Sequence, residues 1–424
     1  MAARAKRAVT QLPSLPPELW DYIFELATHV PYTLVPEIFE KSIFIGSIYN
    51  REYHPKLRAA LVTKRYLVRV CRQWWHMAIR YLYRAIYIGR SRSLTSLCNT
   101  LEKYAAGKGT IAGAEPLGQW TQRLDVAIRD NPVRRDVDVQ YCVNLVTCLP
   151  NLAIFSIRML DVAVPAPLPG ILNALRNSAS SIRVLDWNTS PHTPQPCAFV
   201  ELVRSLPRLH TFRCAYRRWD RVYFPTSILS SLNTLVLNRG PDRLEKDRLT
   251  ESDSEQTHIN LRKVVLDLYW SVDSWEEFMS SYGTFITSVQ ILAFRSTTRE
   301  INNFLDLVNR LCPHILQMTI LVDVFSCMSF VDSLLPPVEY LGFMSRKFQE
   351  TRAAYRRLFS NLAIFKDRVP TLRVIQFLDF HNVQCLITRH SQVVLHALKH
   401  EFAGSNLRIV DHEGNLLSER LMTV

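Results

Sequence analysis

One spacing recurs along most of the chain and limits what it can fold into: apolar-x-x-apolar-x-apolar. It reads Leu152/Phe155/Ile157, Ile182/Leu185/Trp187, Leu209/Phe212/Cys214, Leu232/Leu235/Leu237 and Leu261/Val264/Leu266. It continues as Val289/Leu292/Phe294, Ile315/Met318/Ile320, Val338/Leu341/Phe343 and Leu372/Ile375/Phe377, and a partial Leu407/Val410 closes the series. Successive units start 23–35 residues apart. With 48% hydrophobic residues, one triplet arises by chance about one time in nine, so the regular recurrence carries the argument. Pro150, Pro207, Pro313, Pro336 and Pro370 each stand two residues before the first apolar position, where proline ends a helix and releases the chain into a strand. Helical patterns such as 198–206 and 301–311 lie upstream. A unit of one helix and one strand cannot bury its own apolar face, so neighbouring units must stack and share a core.

These units resemble an irregular leucine-rich repeat array. The resemblance implies an α/β solenoid over residues 91–424, the units running from about residue 110, with a parallel sheet on its concave side. Strand residues that alternate with the apolar positions would line that side and hold a target protein: Arg158, Asp186, Arg213, Asp267, Arg295, Gln317 and Gln376. Phe155, Leu185, Phe212, Leu235 and Leu292 would point into the core. The Asn or Cys ladder of the family is not filled regularly, and a non-repetitive α/β domain is the other fold that the pattern allows. Residues 239–258 are almost wholly polar and read as a surface loop, with Ser252 and Ser254 among acidic residues.

The first ninety residues carry a different pattern. Leu15-Pro16-Pro17-Glu18-Leu19 is followed by Ile23, Phe24 and Leu26, and Val70-Cys71-Arg72-Gln73-Trp74 by Ala78, Leu82 and Tyr83. Pro17 suits the first position of a helix, and Glu18 meets the positive end of the helix dipole. Leu67, Val70, Cys71, Trp74, Ala78 and Leu82 fit one face of a second helix. So short a helical pair has more large apolar side chains than it can hide within itself, which points to burial against a partner. Together the two pieces resemble the F-box as it occurs in fungal F-box proteins, here with an insertion at about 29–56. The resemblance implies docking onto the Skp-type adaptor of a cullin–RING ubiquitin ligase. Leu15, Pro16, Pro17, Leu19, Ile23, Phe24, Val70, Cys71 and Trp74 are the candidate adaptor contacts. The residues alone would also serve as a helical cap on a larger domain. The expected organisation is a disordered tail at 1–10, an F-box-like helical module at 11–90 and the repeat domain at 91–424.

Charge offers a second function class. The net charge is +13, of which residues 1–92 carry +9, and Arg204, Arg208, Arg213, Arg217, Arg218 and Arg221 form a further basic cluster. Such patches attract nucleic acid or acidic protein surfaces, although no nucleic-acid-binding motif accompanies them. Chemistry finds little footing. There are 12 glycines and no GxGxxG or Walker-type loop. His396 and His400 lack a third ligand, and Asp411-His412-Glu413 has no nucleophile partner. No catalytic residue, cofactor or metal site is nominated. Nine cysteines without CxxC pairs suit a reducing compartment, cytoplasm and/or nucleus. No apolar run is long enough to span a bilayer, and no signal peptide is evident. The expectation is a non-catalytic adapter that recruits a target protein, with a basic scaffold as the alternative.

Overall fold

The computed structural model describes residues 15–31, 33–35, 45–108, 115–128, 135–158, 168–187, 196–214, 226–237, 259–268, 273–331, 333–347 and 350–422. The chain is an α/β protein whose described strands form one twelve-stranded parallel sheet in strict chain order. The strands are β1 (Ala85–Ile88), β2 (Arg123–Val126), β3 (Ile154–Ile157), β4 (Val184–Trp187), β5 (Thr211–Cys214) and β6 (Thr234–Leu237). Then come β7 (Lys263–Asp267), β8 (Ser288–Ala293), β9 (Gln317–Val322), β10 (Tyr340–Ser345), β11 (Val374–Phe377) and β12 (Arg408–Val410). Each strand pairs only with its predecessor and its successor, as in a solenoid.

The recurring triplet explains the register. Its middle position builds one unbroken row across the sheet: Ile86, Leu124, Phe155, Leu185, Phe212, Leu235, Val264, Val289, Met318, Leu341, Ile375 and Ile409. The last position builds a second row, with Ile157, Trp187 and Cys214 on one side of β6 and Leu266, Ile291, Ile320, Phe343 and Phe377 on the other. Both rows are buried in a single core with the inner faces of the helices. Those helices include α4 (Ser91–Ala105), α5 (Arg135–Thr147), α6 (Leu168–Arg176), α7 (Pro196–Arg204), α8 (Asp273–Tyr282), α9 (Thr298–Leu311), α10 (Arg352–Arg368) and α11 (Phe380–Arg389). Each Leu, Ile or Phe so buried contributes roughly 1.5–3 kcal/mol, and most of that burial is shared with a neighbouring unit. α9 shows how a unit begins: Thr297 and Glu300 form a reciprocal capping box. α5, α9 and α10 end just before Pro150, Pro313 and Pro370.

Two expected triplets are shifted. In β8 the core positions are Ile286, Val289 and Ile291, and Leu292 lies on the opposite face with Val236 and Val265. In β12 the core residue is Ile409, one position before the expected Val410. The sheet also starts earlier than residue 110. β1 lies inside the stretch assigned to the helical module, and Tyr83/Ile86/Ile88 repeats the same spacing.

The N-terminal module consists of α1 (Pro17–Thr28), α2 (Ile45–Val70) and α3 (Arg72–Arg84). Pro17 is the first helical residue. Residues 45–56, the second part of the insertion read from the sequence at about 29–56, form the start of the long helix α2. The second half-motif is not one helix. Cys71 is extended (φ −159, ψ 173) and caps α3, its sulfur accepting the Trp74 N–H at 3.5 Å. The tail at 1–10, the loop at 239–258 with Ser252 and Ser254, and Arg217, Arg218 and Arg221 lie outside the described residues.

The stacking leaves no space at two glycines. A Cβ at Gly118 would overlap the Cys148 carbonyl oxygen, and one at Gly283 would overlap that of Leu311. Each is a backbone-to-backbone approach, so no side chain can move aside. Gly283→Ala is expected to cost about 1–3 kcal/mol, read as a lower urea midpoint at an unchanged m-value.

Candidate docking surfaces

The helical module has its own small core. Phe24 is fully buried with Ala78 and Tyr81, and Trp20, Leu67, Val68, Trp74 and Met77 pack around them. Three rings form its centre: Phe24 and Trp74 at 4.9 Å between centroids, Trp20 and Trp74 at 5.1 Å, and Trp20 and Phe24 at 5.8 Å. The Tyr81 hydroxyl donates to the Asp21 carboxylate at 2.8 Å, and Arg80 pairs with the same carboxylate. These contacts lock α1 onto α3 with the apolar stripe Trp20/Phe24.

That stripe accounts for only part of α1. Leu15, Leu19, Tyr22, Ile23 and Leu26 remain exposed, and so do Val62, Tyr66 and Val70 on α2. The exposure is large, 60% for Leu26 and 69% for Tyr66. Leu15, Leu19, Tyr22 and Leu26 recur at helical spacing, as do Val62, Tyr66 and Val70. Two helices of one packed unit therefore each present an apolar stripe to solvent, the pattern expected of a binding surface. The nine candidate adaptor residues divide accordingly. Leu15, Pro16, Pro17, Leu19, Ile23 and Val70 are exposed. Phe24 is buried, and Trp74 and Cys71 are half-buried at the joint between helices, so these three hold the module together. Tyr22, Val62 and Tyr66 carry no motif signal in the sequence, and Leu26 belongs to the first half-motif without being among the nine candidates. On α1 the apolar residues Leu19, Trp20, Tyr22, Ile23, Phe24 and Leu26 spread over a wide arc opposite the polar stripe Glu18, Asp21 and Glu25, and so wide an arc does not say which part of it is buried.

On the sheet face away from the helices, register aligns a third row: Tyr87, Asp125, Ser156, Asp186, Arg213, Val236, Val265, Gln290, Thr319, Gly342, Gln376 and Val410. The row is zoned. Asp125, Asp186 and Arg213 put charge on β2, β4 and β5, with Ser156 between them on β3; valines fill β6 and β7; Gln290, Thr319 and Gln376 lie beyond, with Gly342 on β10 and Val410 on β12. In the charged zone Arg123 and Asp125 form a buried ion pair at 2.7 Å, with side chains 1% and 5% exposed. Arg123 also donates to the Thr33 carbonyl at 2.9 Å, which ties the segment after α1 to the sheet.

Next to it, the buried Asp186 carboxylate is shared by two arginines. It accepts from Ser156 Oγ and Arg158 Nη2, both at 3.1 Å, and Arg213 Nε lies 3.6 Å away. Burial alone would push the Asp186 carboxyl up. The Arg213 and Arg158 guanidiniums, with the hydrogen bonds from Arg158 and Ser156, outweigh it and hold the carboxyl below the usual carboxylate range. Two cations facing one anion leave this zone with a net positive charge.

The predicted target-binding residues thus differ in state. Asp186 is buried and paired instead of exposed, and Arg158 and Arg213 are about four-fifths buried against it. Gln376 is held by the Tyr340 hydroxyl and the Asp411 carbonyl. Asp267 is half-buried beside the Leu292 position. Gln317 is exposed at the start of β9. Arg295 is not a strand residue: it follows β8 in the left-handed region (φ 62), where its N–H donates to Asp323 Oδ2 at 2.8 Å.

Among the described residues no group of three or more His, Cys, Asp or Glu could hold a metal ion, and no helix is long and apolar enough to cross a membrane. His396 and His400 meet edge to face at 4.6 Å. No protein-family model matches the chain, and no curated protein matches it.

Removing one partner of a buried charge cluster strands the others. Asp186→Asn is expected to cost about 3 kcal/mol at pH 7, the low end for buried pairs because both guanidiniums keep some solvent. The folded-state pKa of Asp186 is depressed, so its contribution is complete above the unfolded value near pH ~4 and is lost as pH falls through the folded value. Urea denaturation of both chains at several pH values should show a constant gap at neutral pH that narrows on acidification below pH ~4.

Proposed function

We propose that the chain is a substrate-recruiting adapter subunit of an SCF-type cullin–RING ubiquitin ligase. In this reading the N-terminal helices are an F-box that binds a Skp-type adaptor, and through it a cullin. The sheet and its helices are a degenerate leucine-rich repeat that holds a target protein. The observation that carries the proposal is the apolar surface of α1 and α2. Their inner faces are already committed to the core with α3, through Trp20 and Phe24 on α1 and Leu67 and Val68 on α2, yet Leu19, Tyr22, Ile23, Leu26, Val62 and Tyr66 stay exposed. A partner that covers them supplies the missing burial. The repeat reading is supported by strands in chain order, one per unit.

The activity is proximity. Tethering a target raises the effective concentration of its lysines at the ubiquitin-loading arm, and this chain breaks and forms no covalent bond. The target-facing side would be the zoned sheet face with its charged, apolar and amide sections, and the site of action the cytoplasm or nucleus.

Leu19→Glu with Ile23→Glu is expected to abolish co-purification of the Skp-type adaptor. The melting temperature should stay near wild type, since exposed substitutions usually change stability by no more than about 0.5 kcal/mol. Adaptor retained at wild-type affinity would overturn the F-box reading. Capture of generic polynucleotide with steep salt dependence would favour the basic-scaffold reading instead.

A further inference from the structure

Where the helical module meets the sheet, a cleft of ≈ 220 Å³ opens between the end of α1, residues 29–30 and 33–35, α2, α3 and the start of β1. Its apolar wall is Val30, Leu34, Val35 and Ala85. The hydroxyls of Thr28 and Thr33 in its lining donate to the Phe24 and Val30 carbonyls. Its titratable side chains are Glu25 and His29 from the α1 side, Lys64 from α2, and Tyr81 and Arg84 from α3. Four of these have evident arrangements: Arg84 pairs with Glu25 at 3.4 Å, Tyr81 donates to Asp21, and His29 is exposed. Lys64 is different. It is only 7% exposed, and no hydrogen bond or ion pair reaches its ammonium among the described residues.

A cation on a largely buried side chain without a counter-ion is costly, and Glu25, the carboxylate among the described lining residues, already has its cation in Arg84. An anion seated against Lys64 would balance the charge, and the apolar wall would take an uncharged remainder. The cleft is smaller than the ~300–1,000 Å³ of sites for drug-sized ligands, so the occupant is small. We propose that this cleft is a binding site for a small organic carboxylate, its carboxyl group on Lys64 and a short apolar tail against Val30, Leu34 and Val35.

The titration of the lysine gives the site a signature. Burial, with a smaller contribution from Arg84, lowers the Lys64 ammonium to about 8. The cation that attracts the anion is therefore present at pH 7 and mostly lost at pH 9. The carboxylate should bind about tenfold more weakly at pH 9 than at pH 7.

The test uses the full-length chain, with hexanoate as the probe, hexan-1-ol as its uncharged counterpart and inorganic phosphate as an anion without a tail. Saturation-transfer NMR and calorimetric titration at pH 7 and pH 9 read the affinities. The expected result is saturable hexanoate binding that weakens about tenfold at pH 9, with hexan-1-ol and phosphate each at least tenfold weaker than hexanoate at pH 7. Lys64→Met should lose hexanoate binding and melt no lower than wild type, since it removes an unpaired buried charge. Hexanoate binding that is absent, pH-independent or matched by hexan-1-ol overturns the proposal, and phosphate binding as well as hexanoate overturns the apolar-tail assignment. The wild-type arms decide the matter even if Lys64→Met fails to fold. None of them depends on adaptor or target binding.

Discussion

Everything in this fold depends on burial that no single unit can complete. A strand of four residues with two inward side chains, such as Leu185 and Trp187 of β4, has no core until Phe155 and Ile157 lie on one side and Phe212 and Cys214 on the other. The sheet is therefore continuous or it is unstable, and the register is fixed because a one-residue slip would put Asp186 among the aromatic rings. The same constraint dictates how the ends are finished. β1 is flanked by the helical module, and beyond β12 the chain turns back through the Val410–Leu416 bridge, with Arg420 paired to Asp411. The N-terminal helices thus do two jobs, covering one end of the sheet with one surface and offering Leu19, Ile23 and Leu26 with another.

Much of this architecture is legible in the sequence because the triplet spacing is a direct image of a strand against a helix layer. It fails where both faces of a strand are apolar. In β8, Val289, Ile291 and Ala293 alternate with Gln290 and Leu292. Leu292 meets Val236 and Val265 on the far face, so apolarity alone does not give the phase. The first strands were missed for another reason: Thr121 occupies the leading position of β2, and Tyr83 was absorbed into a helical motif. In the docking module the types of residue were readable, but their sorting was not. Ile23 and Phe24 are adjacent and equally apolar, and only the packing of Trp74 decides which is inside. The break at Cys71 has no sequence signal stronger than a cysteine acting as a cap.

The far face of the sheet shows what pattern reading leaves out. Polar residues between apolar ones mark that face at Asp186 and Arg213, whereas in β3 the row position is held by Ser156, two residues before the expected Arg158. Their mutual pairing depends on which strand is next door, and hence on long-range register. Arg158 and Arg213 converge on one carboxylate and become a fixed, net-positive feature of the surface instead of free side chains.

The strict strand order has a consequence for how the polypeptide comes into being. Synthesis delivers the chain from its N-terminus, and folding can keep pace with it. Here each emerging strand finds its docking edge already laid down, because its predecessor is always the strand made just before. Both partners of the Arg123–Thr33 bond, which ties the first strands to the helical module, lie ahead of most of the sheet in the chain. A chain interrupted partway would carry one open edge at its growing end, and each further unit would move that edge forward without creating another.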